Sequence, residues 1–408
     1  MKRIIVNGGR ALGGEMQVSG SKNAALPIIF ACILTNGVSE ITNLPKIGDV
    51  SVALEIVRGF GAEVSQLGNV TYIDTRNLSY RDPSPQLVRR IRASTYLLGS
   101  SLSRFGRCPL MAFGGCNFSL RPIDMHLDAC RALGAYSDGG TLYCDRLRGG
   151  NISFDKASVG ATVNAILLSS ACDGEVRISG CAVEPHIDAL IEFLCSCGAS
   201  ITRRGRELYI RGRELHGGRI TVIGDMIEAG SYLFLGLMSG GNIAVRNAPI
   251  GDMDSVLCTL TDMGASLHTE GDILCGSLSR GNAISVTTAP HPGFPTDLQP
   301  LLAPLLARHS GGAITDTVWP DRFGYLSSLS AFGISSSSEG GTAQIYPSQL
   351  HSGYTVAPDL RGGMAALISA LCAEGQSIID SAEVILRGYE GLLDKLSSLG
   401  ADINISDT

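Results

Sequence analysis

The sequence predicts an α/β protein of two domains that are assembled from six similar units. The chain has 408 residues, which is more than one hydrophobic core usually organises. Six helix-like segments end in a hydrophobic residue, Gly and a small or apolar residue, at a spacing of roughly 64 to 73 residues. Strand-like runs alternate with these segments, so helices and strands are interleaved along the chain.

Each of the six glycines is predicted to lie just after a helix C-terminus, because it follows a periodic apolar stretch and precedes a strand-like run. The six repeats are Phe60-Gly61-Ala62, Leu133-Gly134-Ala135, Cys197-Gly198-Ala199, Met263-Gly264-Ala265, Phe332-Gly333-Ile334 and Leu399-Gly400-Ala401. Upstream, a Gly followed by alternating β-formers predicts strands, as at residues 37–41, 174–178, 241–245 and 375–380. Three units per domain give two domains of ordinary size.

The chain is predicted to divide near residues 222–228. We expect residues 22–225 to form the first domain, and residues 1–21 together with 226–408 to form the second. The strand-like run Ile4-Ile5-Val6 precedes the first full unit, so we expect it to pair within the C-terminal half. Clefts between domains are favoured ligand sites, and we expect the active site in such a cleft.

The bulk composition narrows the class of partners. A formal net charge of −6 argues against a general nucleic-acid binder, although local cationic pockets remain compatible with it. The apolar stretch at the N-terminus ends at Asn7, too early for a signal peptide. The longest apolar run, residues 24–34, is interrupted by Pro27 and is shorter than the roughly 20 residues of a spanning helix. We therefore expect a cytoplasmic protein without nucleic-acid or membrane partners.

The twelve cysteines are spread along the chain and mostly lie in apolar segments, such as those around Cys195 and Cys372. We expect most of them to be small core residues. Neither a Cys-x-x-Cys pair nor a His-x-x-x-His pair occurs, so no metal site is predicted. Cys116 differs, because it follows Gly114-Gly115 in a polar turn.

Two polar turns precede apolar helical stretches. In Ser19-Gly20-Ser21-Lys22-Asn23, free backbone N–H groups, the helix dipole and the Lys22 ammonium would together hold an anion. The alternative is an exposed helix cap without a ligand. The turn Asp155-Lys156-Ala157-Ser158-Val159 has a similar layout before a helix predicted at residues 163–169, and ligand binding and simple capping both remain open there.

The segment from Gly114 to Arg121 contains a candidate reactive thiol. The glycines permit a flexible turn, and Arg121 lies near enough in sequence to lower the pKa of the Cys116 thiol from its reference of about 8.5. Such a thiol suits a nucleophile or a proton donor. The alternative is a small residue in an ordinary loop.

Further polar turns lie in the C-terminal half. Three prolines at residues 290–295 stiffen a loop that presents Asp297 at a helix start, where it is either a general base or an N-cap. Arg322, Arg361 and Arg387 stand in turns beside Asp, Gly or both. Their planar guanidinium groups suit phosphate and carboxylate, although any one alone is more often part of a surface salt bridge.

Nine segments, in order, resemble the enolpyruvyl transferase family, and within it the branch whose acceptor is UDP-N-acetylglucosamine. They are Ser21 to Pro27, Arg92-Ala93-Ser94, Gly114-Gly115-Cys116, Arg121-Pro122, Ser158 to Thr162, Thr288 to Pro292, Phe294 to Asp297, Asp359-Leu360-Arg361 and Arg387 to Glu390. The resemblance covers nearly the whole chain. It implies a two-lobed inside-out α/β barrel with three βαβαββ repeats in each lobe.

The implied reaction moves the enolpyruvyl group of phosphoenolpyruvate to the 3′-hydroxyl of UDP-N-acetylglucosamine and releases phosphate, without a cofactor. Cys116 would protonate C3 of phosphoenolpyruvate, and Asp297 would accept the proton of the sugar hydroxyl. The residues implied to hold phosphoenolpyruvate are Lys22, Asn23, Arg121, Arg322, Arg361 and Arg387, of which Lys22 and Arg387 are also implied to be catalytic. The residues implied to contact UDP-N-acetylglucosamine are Arg92, Arg121, Pro122, Asp124, His126, Lys156, Ser158, Val159, Asp297 and Val318.

The sequence also departs from the family pattern. Gly48 stands where a second Lys is expected, residues 117–119 are bulkier than expected, and residues 384–386 are more apolar. Two alternatives therefore remain. One is an enolpyruvyl transferase that uses shikimate 3-phosphate, against which Cys116 argues. The other is a weakly active paralogue that binds a nucleotide sugar and regulates its pathway, which Gly48 supports.

Overall fold

The computed structural model describes residues 2–114 and 122–407. These residues form two compact units. One comprises residues 20–114 and 122–223, and the other comprises residues 2–19 and 224–407. Among the described residues, no helix combines the length and the apolar character that crossing a membrane would require.

Strands and helices are interleaved along the whole described chain. The strands are β1 (Lys2–Gly8), β2 (Gly14–Gln17), β3 (Thr35–Asn36), β4 (Val38–Thr42), β5 (Glu63–Leu67), β6 (Val70–Asp74), β7 (Arg107–Pro109), β8 (Tyr136–Asp138), β9 (Thr141–Tyr143), β10 (Arg148–Ser153), β11 (Asp173–Ser179), β12 (Ser200–Arg204), β13 (Glu207–Arg211), β14 (Leu215–His216), β15 (Arg219–Thr221), β16 (Ile243–Arg246), β17 (Ser266–Glu270), β18 (Ile273–Ser277), β19 (Ile284–Thr288), β20 (Gly312–Asp316), β21 (Ser336–Glu339), β22 (Thr342–Ile345), β23 (Tyr354–Val356), β24 (Gly375–Asp380) and β25 (Asp402–Asp407). The α-helices are α1 (Lys22–Ala31), α2 (Gly48–Gly59), α3 (Pro85–Val88), α4 (Leu97–Phe105), α5 (Asp124–Ala132), α6 (Val159–Ser170), α7 (Pro185–Ser196), α8 (Met226–Ser239), α9 (Asp254–Asp262), α10 (Gln299–Arg308), α11 (Leu326–Leu329), α12 (Leu360–Cys372), α13 (Glu383–Leu386) and α14 (Leu392–Ser398). Short 3₁₀ helices span Cys32–Leu34, Arg92–Tyr96, Ile250–Asp252, Arg322–Tyr325 and Ser330–Phe332.

The predicted helix ends are confirmed at all six glycines. Their φ angles are 101° at Gly61, 102° at Gly134, 100° at Gly198, 101° at Gly264, 83° at Gly333 and 94° at Gly400. After α2, the Gly61 N–H donates to the Arg58 carbonyl and the Ala62 N–H donates to the Val57 carbonyl. This pair of bonds is the Schellman motif, which requires a left-handed residue that Gly adopts without a steric penalty.

The predicted βαβαββ repeat is confirmed in its simplest form by β19 to β22. Strand β19 pairs in parallel with β20 across α10, and β20 then pairs with the antiparallel hairpin β21–β22, in the spatial order β19-β20-β22-β21. The same order recurs in β10-β11-β13-β12. The unit containing β7, β8 and β9 departs from this pattern, because its sheet as described has three antiparallel strands and no parallel partner.

Each unit carries its most apolar helices in its interior. In the unit of residues 2–19 and 224–407, all residues of α12 are buried, as is most of α8 and α10. In the other unit, α1 and α6 are buried almost all round. A helix without a polar face must be enclosed on all sides, so the sheets and the more amphipathic helices lie outside these central helices. This arrangement is the inside-out α/β fold.

The N-terminal strand confirms that the chain start pairs with the C-terminal half. Strand β1 lies between β24 and β25 and is antiparallel to both. Ile4 and Val6 are fully buried, and Ile4 is paired with Ile379 on one side and Ile405 on the other. The two ends of the chain are therefore joined in one sheet.

Most of the described cysteines are buried in the core, as predicted, and three are not. Eight of the eleven described cysteines are buried, Cys275 is intermediate, and Cys195 and Cys258 are exposed. The expectation that Cys195 is a core residue is wrong, because it lies on the outward face of α7 while Phe193 and Leu194 are buried. The described cysteines form no disulfide bond.

Candidate active site

The first group of predicted site residues lies in the unit of residues 2–19 and 224–407. We call it the Asp297 cluster: Thr296, Asp297, Asp316, Arg322 and Arg361. Arg322 Nη1 donates to Asp297 Oδ1 at 2.8 Å, and Arg361 Nη2 donates to Asp297 Oδ2 at 3.1 Å. The side chain of Asp297 is 30% exposed, whereas those of both arginines are only 4% exposed. One carboxylate is thus held between two buried guanidinium groups.

Asp297 does not act as the helix cap that the sequence left open. The residue before α10 is Leu298, and no side chain caps this helix. Asp297 stands one residue earlier, and its carboxylate turns to the two arginines instead. The surface-salt-bridge alternative is wrong for Arg322 and Arg361, because both are buried.

Asp316, which sequence reasoning missed, organises the loop that carries Asp297. It ends β20, is 1% exposed, and accepts from Thr288 Oγ1 at 2.7 Å and from Thr296 Oγ1 at 2.6 Å. Thr296 Oγ1 in turn accepts from Arg322 Nη1 at 3.0 Å. A buried carboxylate is stable only when its lone pairs are satisfied, so this network fixes Thr296 and, through it, Arg322.

Arg361 is further supported by its surroundings on α12. Asp359 caps this helix by accepting from the Arg361 and Gly362 N–H groups. The guanidinium carbon of Arg361 lies 5.5 Å from the centre of the Tyr389 ring. Burial acts to lower the pKa of Arg361, but Tyr389 and Asp297 outweigh it and the pKa is raised. Arg361 is a permanent, preorganised cation.

Two further predicted site residues, Val318 and Arg387, belong to this unit. The backbone N–H of Val318 donates to Asp316 Oδ1 at 2.9 Å, so Val318 belongs to the loop that Asp316 organises. Arg387 is half-buried and directly follows α13. Its neighbour Tyr389 donates to or accepts from Ser231 at 2.9 Å.

The second group lies in the unit of residues 20–114 and 122–223. Lys22 and Asn23 are the first two residues of α1, and Ser21 caps this helix by accepting from the Ala24 N–H at 3.4 Å. The Lys22 ammonium lies 3.4 Å from the buried carboxylate of Asp49. Asp49 follows Gly48, which is exposed and begins α2. The positive charge of Lys22 is therefore partly balanced by the carboxylate of Asp49. Asp49 directly follows Gly48, the position where the family pattern would have a second Lys.

Three helix starts in this unit carry further predicted residues. Arg92 begins a 3₁₀ helix, Asp124 begins α5, and Ser158 caps α6 by accepting from the Ala161 N–H, with Val159 as its first residue. The helix predicted at residues 163–169 thus starts four residues earlier. Arg92 is half-buried, and this burial lowers the pKa of its guanidinium group.

We call the second arrangement in this unit the His126 cluster: Arg92, His126, Ser158, Gly160 and Asn164. His126 is 5% exposed, and its Nδ1 lies 2.7 Å from Asn164 Nδ2. Burial lowers the pKa of His126 to about 4, and the positive charge of Arg92 acts in the same direction. Sequence reasoning missed Asn164, which follows the segment Ser158 to Thr162 in the apolar helix α6 but belongs to no motif itself.

The other predicted site residues are either exposed or outside the described residues. Pro122, Asp124 and Lys156 are exposed. Cys116 and Arg121 lie outside the described residues, as do residues 117–119. Gly114 is described, and the reason for a glycine there is close packing: a Cβ at Gly114 would lie 2.2 Å from the Arg89 carbonyl oxygen.

Fold and site together define a class of protein. Buried arginines, helix starts and a lysine present cationic groups in each unit, which suits a protein that handles small anionic substrates on a duplicated inside-out α/β scaffold.

Comparison with known proteins narrows this class. The sequence model of the family described as EPSP synthase (3-phosphoshikimate 1-carboxyvinyltransferase) matches residues 6–396. The chain belongs to this family. Relatives include UDP-N-acetylglucosamine 1-carboxyvinyltransferase 2 of Streptococcus thermophilus, 38% identical over 99% of each chain, and UDP-N-acetylglucosamine 1-carboxyvinyltransferase of Halothermothrix orenii, 37% identical over 99% of each.

Solved structures agree with the fold. The enolpyruvyl transferase NikO of Streptomyces tendae is 25% identical, with a TM-score of 0.91 over 100% of this chain and 99% of that one. EPSP synthase of Acinetobacter baumannii is 18% identical, with a TM-score of 0.75 over 100% of both chains. This second likeness concerns the fold alone.

Proposed function

We propose that the chain transfers the enolpyruvyl group of phosphoenolpyruvate to the 3′-hydroxyl of UDP-N-acetylglucosamine and releases phosphate. The observation that carries the proposal is the Asp297 cluster, in which a carboxylate lies between two buried arginines. This cluster belongs to a chain that is 38% identical, over 99% of its length, to a relative named UDP-N-acetylglucosamine 1-carboxyvinyltransferase 2. A role in the cytoplasm at the first committed step of peptidoglycan synthesis, and hence in cell shape and division, belongs to the same proposal.

The proposed chemistry assigns a proton transfer to each acid–base residue. Cys116 donates a proton to C3 of phosphoenolpyruvate, which leaves C2 cationic, and the sugar oxygen attacks C2 while Asp297 accepts its proton. Loss of a proton from C3 and of phosphate from C2 then restores the double bond. Arg322 and Arg361 neutralise the substrate carboxylate, and Lys22, Asn23, Arg121 and Arg387 bind the phosphate.

The acceptor sugar is assigned to the other unit. Arg92, Pro122, Asp124, His126, Lys156, Ser158 and Val159 are proposed to contact the nucleotide sugar, together with Arg121, Asp297 and Val318. The helix starts of α5 and α6 support this assignment, because their N–H groups and dipoles favour phosphate oxygens.

The test is phosphate release from phosphoenolpyruvate with each acceptor in turn. We expect release with UDP-N-acetylglucosamine and none with shikimate 3-phosphate, together with a carboxyvinylated sugar nucleotide in the mass spectrum. Release with shikimate 3-phosphate alone would reject the proposal. Fosfomycin, an epoxide that alkylates the family's loop cysteine, is expected to add once at Cys116, and an unmodified intact mass in the presence of the nucleotide sugar would count against the thiol's role.

One observation favours a second candidate, a weakly active paralogue that binds nucleotide sugar. Gly48 brings no charge, and the neighbouring Asp49 partly balances Lys22, so this region holds less positive charge than the family pattern. The variant Gly48→Lys separates the two. A parent chain with little turnover that gains at least tenfold would support the paralogue, whereas a parent with full turnover that Cys116→Ala abolishes would dismiss it.

A further inference from the structure

The His126 ring is buried against the first turn of α6. It is 5% exposed, and a Cβ added at Gly160 would lie 2.8 Å from its Cε1 and 3.1 Å from its Nε2. The His126 ring can pack this closely against α6 because Gly160 has no side chain. The Cε1–Nε2 edge of His126 faces the helix start that Ser158 caps.

The orientation of the Asn164 amide is fixed by a backbone donor. The N–H of Gly99 lies 2.7 Å from Asn164 Oδ1, and a backbone N–H can only donate. The amide nitrogen of Asn164 is thus on the other side, where it donates to the Thr95 carbonyl at 3.1 Å and meets His126 Nδ1 at 2.7 Å. Asn164 is fully buried, and all its polar capacity except one lone pair is used.

This orientation determines the protonation of the ring. An amide N–H must meet a lone pair, so His126 Nδ1 carries no proton. A neutral imidazole then has its single proton on Nε2. A doubly protonated ring would place an N–H against the Asn164 N–H, and Arg92 adds further repulsion, which Asp124 opposes. Geometry and burial both favour the neutral ring.

The other ring nitrogen is available to a ligand. In the described part of the chain, the hydrogen bond of the His126 ring is made by Nδ1, and none is made by Nε2. It lies beside Gly160 in the first turn of α6, and the proposed function assigns the nucleotide sugar to Ser158 and Val159 at the start of this helix. A neutral N–H there suits an oxygen acceptor of that ligand.

We propose that Asn164 is a positioning residue that holds His126 in the Nε2-protonated tautomer, so that His126 donates a neutral hydrogen bond to an oxygen of the nucleotide sugar. The identity of the ligand rests on the proposed function. The tautomer does not, because it follows from contacts within residues 95–164.

The first test measures the tautomer without substrate. In the full chain labelled with ¹⁵N-histidine, long-range ¹H–¹⁵N spectra at neutral pH distinguish a protonated from an unprotonated ring nitrogen, and the His126→Gln spectrum identifies the signals. We expect a protonated Nε2 and a bare Nδ1. In Asn164→Asp, the carboxylate accepts a proton from Nδ1, so the tautomer is expected to reverse. A protonated Nδ1 in the parent chain overturns the proposal.

The second test measures turnover with UDP-N-acetylglucosamine. For Asn164→Asp we expect KM for the sugar nucleotide to rise at least tenfold, with kcat changed less than threefold. Thr75→Val is the matched control, because Thr75 is also a fully buried polar residue of this unit, and its side chain donates to the Thr35 and Gly37 carbonyls rather than to the His126 cluster. It is expected to lose stability but keep the tautomer and KM. An equal rise of KM in both variants would make the effect structural and overturn the positioning role.

A third variant guards against misfolding of Asn164→Asp. Gly160→Ala leaves the Asn164 side chain and its bonds to Gly99 and Thr95 unchanged but pushes the edge of the His126 ring. We expect the Nε2 tautomer to persist and KM to rise, and an unchanged KM would overturn the donor role. A chain that does not turn over UDP-N-acetylglucosamine but shows the Nε2 tautomer would refute the proposed function and leave the tautomer assignment standing.

Discussion

The Asp297 cluster and the His126 cluster satisfy their buried polar groups in different ways. The Asp297 cluster concentrates formal charge: two arginines and two carboxylates, of which all but Asp297 are nearly fully buried. The His126 cluster centres on a neutral pair, His126 and Asn164, with one half-buried arginine beside it. Charge is paired with charge in the first cluster, whereas in the second each N–H of the Asn164 amide is matched to one acceptor.

This difference indicates what each cluster is suited to do. Paired charges in a low-dielectric site stabilise a charge that develops during a reaction, because their orientation is already established. A neutral network discriminates among ligands by geometry, since any unmatched donor or acceptor costs about 1–3 kcal/mol. The Asp297 cluster suits chemistry at the enolpyruvyl group, and the His126 cluster suits orientation of the acceptor sugar.

The largest expected effect comes from removing the charge of Asp297, because the Asp297 cluster is the one proposed to carry out the chemistry. Asp297→Asn keeps the shape but removes the proposed base, and we expect kcat to fall by roughly 10² to 10⁴-fold. The measurement is phosphate release at saturating substrates. The control is Asp262→Asn, an exposed carboxylate of the same unit, which should retain parental turnover. A kcat within threefold of the parent would remove Asp297 from the chemistry.

The second test removes a buried charge. Arg361→Met leaves Asp297 with Arg322 as its remaining described arginine partner, and removing one partner of a buried pair costs about 3–5 kcal/mol. Because Asp297 is 30% exposed, we expect a loss of unfolding free energy near the lower bound, about 3 kcal/mol, in urea denaturation.

The matched control for this loss is Arg10→Met, in the same unit. Arg10 pairs with Asp402 at 3.0 Å, but the two side chains are 60% and 32% exposed. An exposed pair contributes less than about 1 kcal/mol. Equal losses in the two variants would mean that burial does not distinguish the Asp297 cluster.

The repeat could be predicted from the sequence because its signals are local. Gly61 and its five counterparts must adopt positive φ angles within a single turn, so each leaves a mark in three consecutive residues. Buried strands such as β1 are similarly visible as apolar runs. The exposure of Cys195 was not predictable, because it depends on which face of α7 turns outward.

The supporting residues of the site left no such mark. Asn164 contacts residues 65 and 69 positions away, at Gly99 and Thr95, and stands alone in an apolar helix. Asp316 joins Thr288 and Thr296, 28 and 20 positions away. Tertiary packing brings these groups together, and no spacing in the sequence encodes it. A motif located Arg361 and the family resemblance located His126, whereas the partners of both residues required the structure.

The third test uses pH to separate the clusters. His126 has a pKa of about 4 in the folded chain, whereas an unfolded histidine has a reference pKa of about 6.5. Between these values the unfolded state binds the extra proton, so stability is lost as pH falls from 6.5 towards 4. Between pH 7 and pH 5 we expect the parent to lose about 2 kcal/mol of unfolding free energy that His126→Gln does not lose.

The control for the pH effect is His268→Gln, an exposed histidine on β17. It should keep the parental pH dependence in urea denaturation at each pH. If His126→Gln retains that dependence too, the ring is accessible to protons in the folded state and the neutral character of the His126 cluster is refuted.

The smallest expected effect tests the helix start beside His126. Ser158 caps α6 with a long bond of 3.4 Å to the Ala161 N–H, so Ser158→Ala should cost about 0.5–1 kcal/mol of unfolding free energy. Ser84→Ala is the control, because Ser84 precedes α3 without a capping bond and should cost almost nothing. If Ser158 only caps the helix, KM for UDP-N-acetylglucosamine will not change. A rise of KM beyond the change in Ser84→Ala would show that this hydroxyl also contacts the ligand, and would extend the neutral hydrogen-bonding character of the His126 cluster to its edge.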